Sequence, residues 1–76
     1  MAELLEDLAR RLVDDPDAVR VEQVEEDGML LLRLHVAEAD RGKVIGRQGR
    51  IARALRTVVR AGSAREHRRM QLEIVD

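Results

Sequence analysis

The residues best suited to bind a ligand lie in one short stretch, Gly46-Arg47-Gln48-Gly49, which we call the clamp loop. Its glycines permit unusual backbone angles and leave no Cβ in the way of an approaching chain. A helix beginning after the loop would add free N–H groups and the positive end of its dipole, which together bind anions. The pattern predicts a loop that holds a sugar-phosphate backbone. The alternative is that the glycines only interrupt and restart a helix.

Side chains in and around the clamp loop suit the same task. Arg47 can reach a phosphate, Gln48 can hydrogen-bond a phosphate or a ribose, and no acidic residue lies between the glycines. Lys43 and Arg50 are further predicted phosphate contacts, so affinity should fall with salt, with a slope of about −0.7 per neutralised phosphate. The predicted binding residues are Lys43, Val44, Ile45, Gly46, Arg47, Gln48, Gly49 and Arg50.

The rest of the sequence carries no set of residues suited to catalysis, a metal or a cofactor. There are no cysteines, and His35 and His67 have no second ligand at metal-binding spacing. No Ser/His/Asp set is visible. Gly42-Lys43 is followed by Val44, where a Walker loop requires Ser or Thr. The sequence therefore predicts a binding protein rather than an enzyme, with no cofactor and no metal.

Composition narrows the kind of binding. The chain has no Phe, Tyr or Trp, so it cannot stack bases on aromatic rings as RRM and OB-fold proteins do. Residues 1–40 carry four arginines against twelve acidic residues, a net charge of −8. Residues 41–76 carry ten basic residues against three acidic ones, a net charge of +7. This asymmetry indicates an anionic partner for the second half, unless the two halves simply attract each other.

Hydrophobic spacing predicts the elements of the first half. Apolar residues at helical spacing predict an amphipathic helix over residues 2–13, which Pro16 stops. A strand begins at Val19 and Val21, and the out-of-phase Val24 predicts a bulge or an early strand end. Asp27-Gly28 is a turn signal, and alternating apolar residues predict a second strand over residues 30–36.

The second half is predicted to contain two helices and a closing strand. A short helix covers residues 39–45, with Asp40 as its candidate cap. A longer helix covers residues 49–62, with one apolar face and one arginine face. Arg53, Arg56 and Arg60 on that second face are as well explained by solvent exposure as by a ligand. A polar loop then runs to Arg69, and a strand covers residues 70–74.

The order α-β-β-α-α-β, with Gly-x-x-Gly between the central helices, resembles the type II KH domain. The stretch Gly42-Lys43-Val44-Ile45-Gly46-Arg47-Gln48-Gly49-Arg50-Ile51 is similar to the signature of that family. The whole chain, through Glu73-Ile74-Val75-Asp76, resembles the KhpA family of small bacterial KH proteins, also called YlqC. The resemblance implies an α/β (α+β) fold in which a three-stranded mixed sheet packs against three helices, with residues 1–76 as a single KH domain.

The resemblance also implies where RNA would lie. The groove is expected between the central helices on one side and the second strand with the polar loop on the other. Val44, Ile45 and Ile51 would form its floor, although core packing is the favoured role of Ile51. Backbone groups of residues 34–36 would read base edges. Whether Arg65, Arg68 and Arg69 contact RNA is left open.

The function implied by the resemblance is non-enzymatic binding of single-stranded RNA. The KhpA family implies a cytoplasmic RNA chaperone or post-transcriptional regulator linked to cell elongation and peptidoglycan homeostasis. It implies a dimer, either with itself or with a KhpB-like KH protein (also called Jag or EloR), with Val59, Ala61 and Gly62 as candidate contacts. No apolar run is long enough to span a membrane. The alternative function is a protein-interaction module for which RNA is incidental.

Overall fold

The computed structural model describes residues 1–75 and arranges them as three helices against one sheet. The helices are α1 (Ala2–Leu12), α2 (Arg41–Ile45) and α3 (Arg50–Glu66), and the strands are β1 (Arg20–Glu26), β2 (Met29–His35) and β3 (Arg69–Ile74). Single 3₁₀ turns lie at Pro16–Ala18, Glu38–Asp40 and Arg47–Gly49. The predicted element order and the α+β fold class, with its mixed three-stranded sheet, are confirmed.

The sheet has the order β1-β2-β3, so β2 is its central strand. β1 and β2 pair antiparallel through the turn at Asp27 and Gly28, and β2 and β3 pair parallel from Met29 opposite Arg69 onward. The predicted bulge or early end at Val24 is wrong, because Val24 faces Leu31 in an unbroken register. Val24 lies on the open face of the sheet, which is why it is out of phase with Val21 on the covered face.

The core lies between the helices and the covered face of the sheet, and it is entirely aliphatic apart from one methionine. Leu30, Leu32 and Leu34 alternate along β2 with half-buried residues, as the period of a strand facing a core on one side requires. The fully buried side chains are Leu5, Leu32, Leu34, Val44 and Val59. Packing of this kind fixes the position of α3 on the sheet.

Helix α3 is longer than the sequence predicted, and the expected polar loop after residue 62 is wrong. Gly62 lies inside the helix and is buried against Met1, whose Cε would stand 2.0 Å from a Cβ at that position. The glycine therefore permits close packing and does not end the helix. The helix ends at Glu66, and the cap residue His67 adopts a left-handed conformation. The Arg68 N–H bonds to the Ser63 carbonyl at 3.0 Å.

Asp40 ties the start of α2 to the segment that follows α1. It was a candidate helix cap, but its side chain makes no cap hydrogen bond. The carboxylate is 2% exposed and accepts the N–H groups of Asp14 at 3.2 Å and Asp15 at 3.0 Å. Burial by itself raises the pKa of Asp40, but these hydrogen bonds, together with the Lys43 ammonium, lower it below its ordinary value.

We expect Asp40 to make the protein sensitive to acid. Because its pKa is lower in the folded protein than in the unfolded chain, its stabilisation is complete above the unfolded-state pKa and disappears as the pH falls through the folded-state pKa. An Asp40→Asn variant should unfold at a lower temperature than the wild type at neutral pH, with the gap narrowing in acid. Thermal unfolding followed by circular dichroism from neutral to acid pH measures both curves. The control is Asp17→Asn, an exposed position, and two parallel curves for Asp40→Asn and the wild type would contradict the assignment.

Candidate nucleic-acid interface

The clamp loop has an unusual backbone. Gly46, Gln48 and Gly49 all have positive φ, at 76°, 57° and 75°. The Gly49 N–H closes the turn onto the Gly46 carbonyl at 3.1 Å, and α3 begins at the next residue. No side chain caps α3, and its first turn contains no acidic residue. The Arg50 N–H is bonded to the Arg47 carbonyl. The N–H groups that follow it in the first turn, together with the helix dipole, are what this end of α3 offers to an anion.

Gly46 is required at its position for steric reasons. A Cβ there would lie 2.4 Å from Ile51 Cγ1 and 2.9 Å from the Ile51 backbone nitrogen. Ile51 is half-buried and packs against the core, which confirms the role favoured for it from the sequence. The first turn of α3 thus folds back directly over the start of the clamp loop, and a side chain at residue 46 would push the two apart.

Arg53 of α3 stabilises the clamp loop through a hydrogen bond. Its Nη1 donates to the Gln48 carbonyl at 2.9 Å and would stand 3.6 Å from a Cβ at Gly49. This contact stabilises Gln48, the non-glycine residue of the loop that adopts positive φ. It also keeps a positive charge beside the loop. The sequence placed Arg53 on an exposed face without showing this role, because the contact depends on the conformation of the loop.

The structure separates the other predicted binding residues into two groups. Arg47, Gln48 and Arg50 are exposed at the loop, and Ile45 is 37% exposed beside it. Val44 is fully buried in the core and cannot form a groove floor. Its prediction as a contact residue is wrong, since its side chain packs into the aliphatic core.

Lys43 is engaged away from the loop. Its Nζ lies 3.2 Å from Asp14 Oδ2 and 3.5 Å from Asp40 Oδ1. The hydrogen bond and charge of Asp14, followed by those of Asp40, raise the pKa of Lys43. A phosphate would have to compete with two carboxylates for this ammonium. Lys43 therefore belongs to the contact between α2 and the segment after α1.

Several arginines of the second half keep an uncompensated charge. Within residues 1–75, the side chains of Arg47, Arg50, Arg56, Arg60, Arg65 and Arg69 make no described hydrogen bond or ion pair. Acidic residues instead pair with basic ones elsewhere, as Glu22 and Glu73 do with Arg33. Like charges three or four residues apart destabilise a helix by about 0.2–0.5 kcal/mol per pair. Helix α3 carries this arginine face despite that cost, which indicates an anionic ligand.

A groove of about 400 Å³ runs beside α3 and β3. Its walls are Arg56, Val59, Arg60 and Ser63 from α3, and Met70, Gln71 and Leu72 from β3. The groove was expected beside the second strand, and that expectation is wrong. β2 pairs on both edges, and the Leu34 carbonyl accepts the Val75 N–H at 3.0 Å. Its backbone is therefore unable to read bases.

Among the described residues, the outer edge of β3, unlike β2, has no strand paired to it. The Met70 N–H points away from β2 and bonds to Ser63 Oγ at 3.2 Å, whereas the Val75 N–H points toward β2. Because the backbone groups of a strand alternate between its two edges, the N–H and carbonyl of Leu72 face outward into the groove. A donor and an acceptor side by side can pair with the edge of a base.

The three arginines whose contact with RNA was left open do not line this groove. Arg65 lies on the last turn of α3, Arg68 pairs with Glu25, and Arg69 begins β3. The prediction of Val59 as a dimer contact is wrong, since Val59 is buried in the core. Gly62 packs against Met1 but lines the same surface as Ala61, so it stays a predicted contact. Ala61 remains exposed and shares a shallow apolar surface with Leu4 and Val58.

Among residues 1–75, no three His or acidic side chains are placed to hold a metal ion. No helix in this range has the length and hydropathy needed to cross a membrane.

The sequence was compared with known families and proteins. A family model described as the KH domain of KhpA/KhpB matches residues 2–74. The RNA-binding protein KhpA of Clostridium acetobutylicum is 49% identical over 75 residues, which are 99% of this chain and 100% of that protein. The protein of the same name from Bacillus subtilis is 43% identical over 76 residues, which are 100% of this chain and 94% of that one.

The fold was compared with solved structures. A crystal structure of Aquifex aeolicus Era bound to GDP and aluminium fluoride matches with a TM-score of 0.61 and 20% sequence identity. The match covers 96% of this chain and 28% of Era, and at this identity it shows the fold alone. The family model and the full-length relatives go further: the chain belongs to the KhpA/KhpB family of KH-domain proteins.

Proposed function

We propose that this protein binds single-stranded RNA through a continuous surface, which we call the RNA face. It consists of the clamp loop, the arginine face of α3 and the outer edge of β3. The observation that carries the proposal is the position of the clamp loop at the uncapped N-terminus of α3, beside arginines that have no acidic partner. The relatives named RNA-binding protein KhpA support the same ligand.

The parts of the RNA face have different tasks. The clamp loop, Arg47 and Arg50 hold phosphates, because the loop offers N–H groups and the guanidinium groups carry uncompensated charge. The groove beside β3 receives bases on an aliphatic floor, where the Leu72 backbone offers them a donor and an acceptor. KH loops clamp about four nucleotides, so a short single strand is the expected ligand.

Family membership and resemblance support a wider role. The relatives are named for RNA binding, and the family is not one of enzymes. We propose that residues 1–76 act as a single KH domain in the cytoplasm, as an RNA chaperone or post-transcriptional regulator. A link to cell elongation and peptidoglycan homeostasis is part of the same proposal.

Dimerisation would make so small a site useful, because linking two weak sites raises their joint affinity through effective concentration. The surface of Leu4, Val58 and Ala61 is our proposed contact with a second copy or with a KhpB-like protein. Leu4 is 48% exposed, high for a leucine on an amphipathic helix. Sedimentation of the protein alone and with such a partner distinguishes the two assemblies.

The proposed function predicts a specific dependence on salt. If Arg47 and Arg50 each neutralise one phosphate, the logarithm of the binding constant should fall against the logarithm of salt concentration with a slope of about −1.4. Arg50→Gln should make the slope shallower by about 0.7. The control is Arg10→Gln on α1, where Arg10 pairs with Glu6; its slope should equal that of the wild type. An unchanged slope for Arg50→Gln would remove Arg50 from the site.

Titration of a fluorescent single-stranded RNA, followed by anisotropy, tests the function itself. We expect saturable binding that a duplex of the same sequence competes for poorly, because the groove is built for unpaired bases. If no RNA binds while a partner protein does, the protein-interaction module replaces RNA binding as the function. The charge segregation between the two halves of the chain is the observation that favours this alternative.

A further inference from the structure

The groove beside β3 presents a different set of hydrogen-bonding groups on each wall. On the α3 wall, the Ser63 hydroxyl is already occupied, since it donates to the Arg68 carbonyl and accepts the Met70 N–H. The remaining polar side chains of that wall are Arg56 and Arg60, which are exposed and lack an acidic partner among the described residues. A guanidinium group only donates. The α3 wall therefore offers donors alone.

Arg56 and Arg60 are placed to act on one ligand. They are four residues apart in α3, so their side chains are neighbours on the same face of the helix. No carboxylate of residues 1–75 lines the groove. A ligand that fits this wall must present acceptors, and two adjacent acceptors can receive the parallel N–H groups of one guanidinium.

The β3 wall offers acceptors as well as a donor. The carbonyls of Met70 and Leu72 point outward, as do the N–H groups of the same two residues. The Met70 N–H is bonded to Ser63, so the donor that remains is the Leu72 N–H. The side chains of Val59, Met70 and Leu72 form the apolar floor between the two walls. A flat ligand is therefore enclosed between donors on one side and backbone carbonyls on the other.

We propose that Arg56 and Arg60 make this groove selective for guanine, an inference that rests on the proposed function. Guanine presents two adjacent acceptors, O6 and N7, on its Hoogsteen edge, and N–H donors on its Watson–Crick edge. Adenine carries its amino group beside its ring acceptors, and uracil lacks an adjacent pair of acceptors. Unpaired cytosine has adjacent acceptors at N3 and O2, but its only amino group lies on the same edge, so it cannot pair with the two walls from opposite edges. Guanine matches both walls at once.

Short RNAs that differ only in a central dinucleotide test the proposal. In an otherwise all-uridine strand, two central guanosines should bind about tenfold more tightly than two adenosines, cytidines or uridines. Replacing N7 of both guanines by carbon should remove most of this advantage, because it removes an acceptor without changing the charge or shape. Anisotropy titration at fixed salt measures each affinity.

Arg-to-Lys variants separate base reading from charge. Arg56→Lys and Arg60→Lys keep the positive charge but lose the paired N–H groups, so each should reduce the guanine preference while the salt slope stays the same. Arg65→Lys is the matched control, because Arg65 lies on the same helix outside the groove. Equal affinity for all four RNAs, or a preference unchanged in both variants, would overturn the guanine assignment alone. Failure to bind any RNA would overturn the proposed function with it.

Discussion

Replacing Arg47 and Gln48 by aspartate will weaken the binding of single-stranded RNA by at least about a hundredfold and leave the protein folded. The change removes a guanidinium and an amide donor and places two carboxylates where the phosphates would lie. Hydrogen bonds to charged groups contribute about 1.5–3 kcal/mol each, and repulsion adds to their loss. Both side chains are exposed, so stability should change by only about 0.5 kcal/mol. Asp also tolerates the positive φ of residue 48 better than most residues.

A matched charge change on the opposite edge of the sheet provides the control. Arg20 and Gln23 are the same two residue types, exposed on β1, and β1 is separated from β3 by β2. Arg20→Glu with Gln23→Glu gives the same change in net charge, with a residue better suited to a strand than Asp. This control should retain most of the RNA affinity. Equal losses in the two double variants would mean that net charge, and not the clamp loop, governs binding.

The second large effect concerns Gly46, where alanine should reduce the free energy of unfolding by about 2 kcal/mol. The new Cβ would overlap Ile51 Cγ1 at 2.4 Å and would meet both Ile51 Cβ and the Ile51 backbone nitrogen at 2.9 Å. The last two atoms cannot move without shifting α3. Positive φ at this residue adds strain for any side chain. RNA affinity should fall as well, because the loop can no longer sit against the first turn of α3.

Gly42 provides the control for Gly46. It lies in α2 with open space around its would-be Cβ, and its φ is not positive. Gly42→Ala should therefore raise the free energy of unfolding by about 0.5–1 kcal/mol. Urea unfolding followed by far-ultraviolet circular dichroism suits both variants, since the chain has no aromatic residue to report by fluorescence. Effects of the same sign and size at the two glycines would contradict the steric account of Gly46.

Periodicity predicted most of the fold because it reflects burial directly. The alternation of Leu30, Leu32 and Leu34 identified a strand with one covered face, and the structure buries these three side chains. The Gly-x-x-Gly loop could also be predicted from local sequence, because glycine tolerates positive φ. Both glycines of the loop adopt it. Features decided by neighbours in the chain were thus readable from the sequence.

Features decided by residues distant in the chain were not readable. Gly62 looked like a helix end because its contact with Met1 cannot be seen locally. Lys43 looked available for phosphate because Asp14 and Asp40, which are 26 residues apart, meet only in the folded protein. The groove was assigned to β2 because spacing alone does not reveal that β2 is central and β3 is the edge. Arg56 and Arg60 became candidates only once that edge was known.

Chemical-shift mapping on isotope-labelled protein tests the RNA face most directly. On addition of a short single-stranded RNA, the largest backbone amide changes should occur in the clamp loop, at Arg50, and along the outer edge of β3 at Met70 and Leu72. The amides of α1 and of the turn between β1 and β2 should change little. Changes concentrated on α1 or on that turn, with the clamp loop unaffected, would contradict the account.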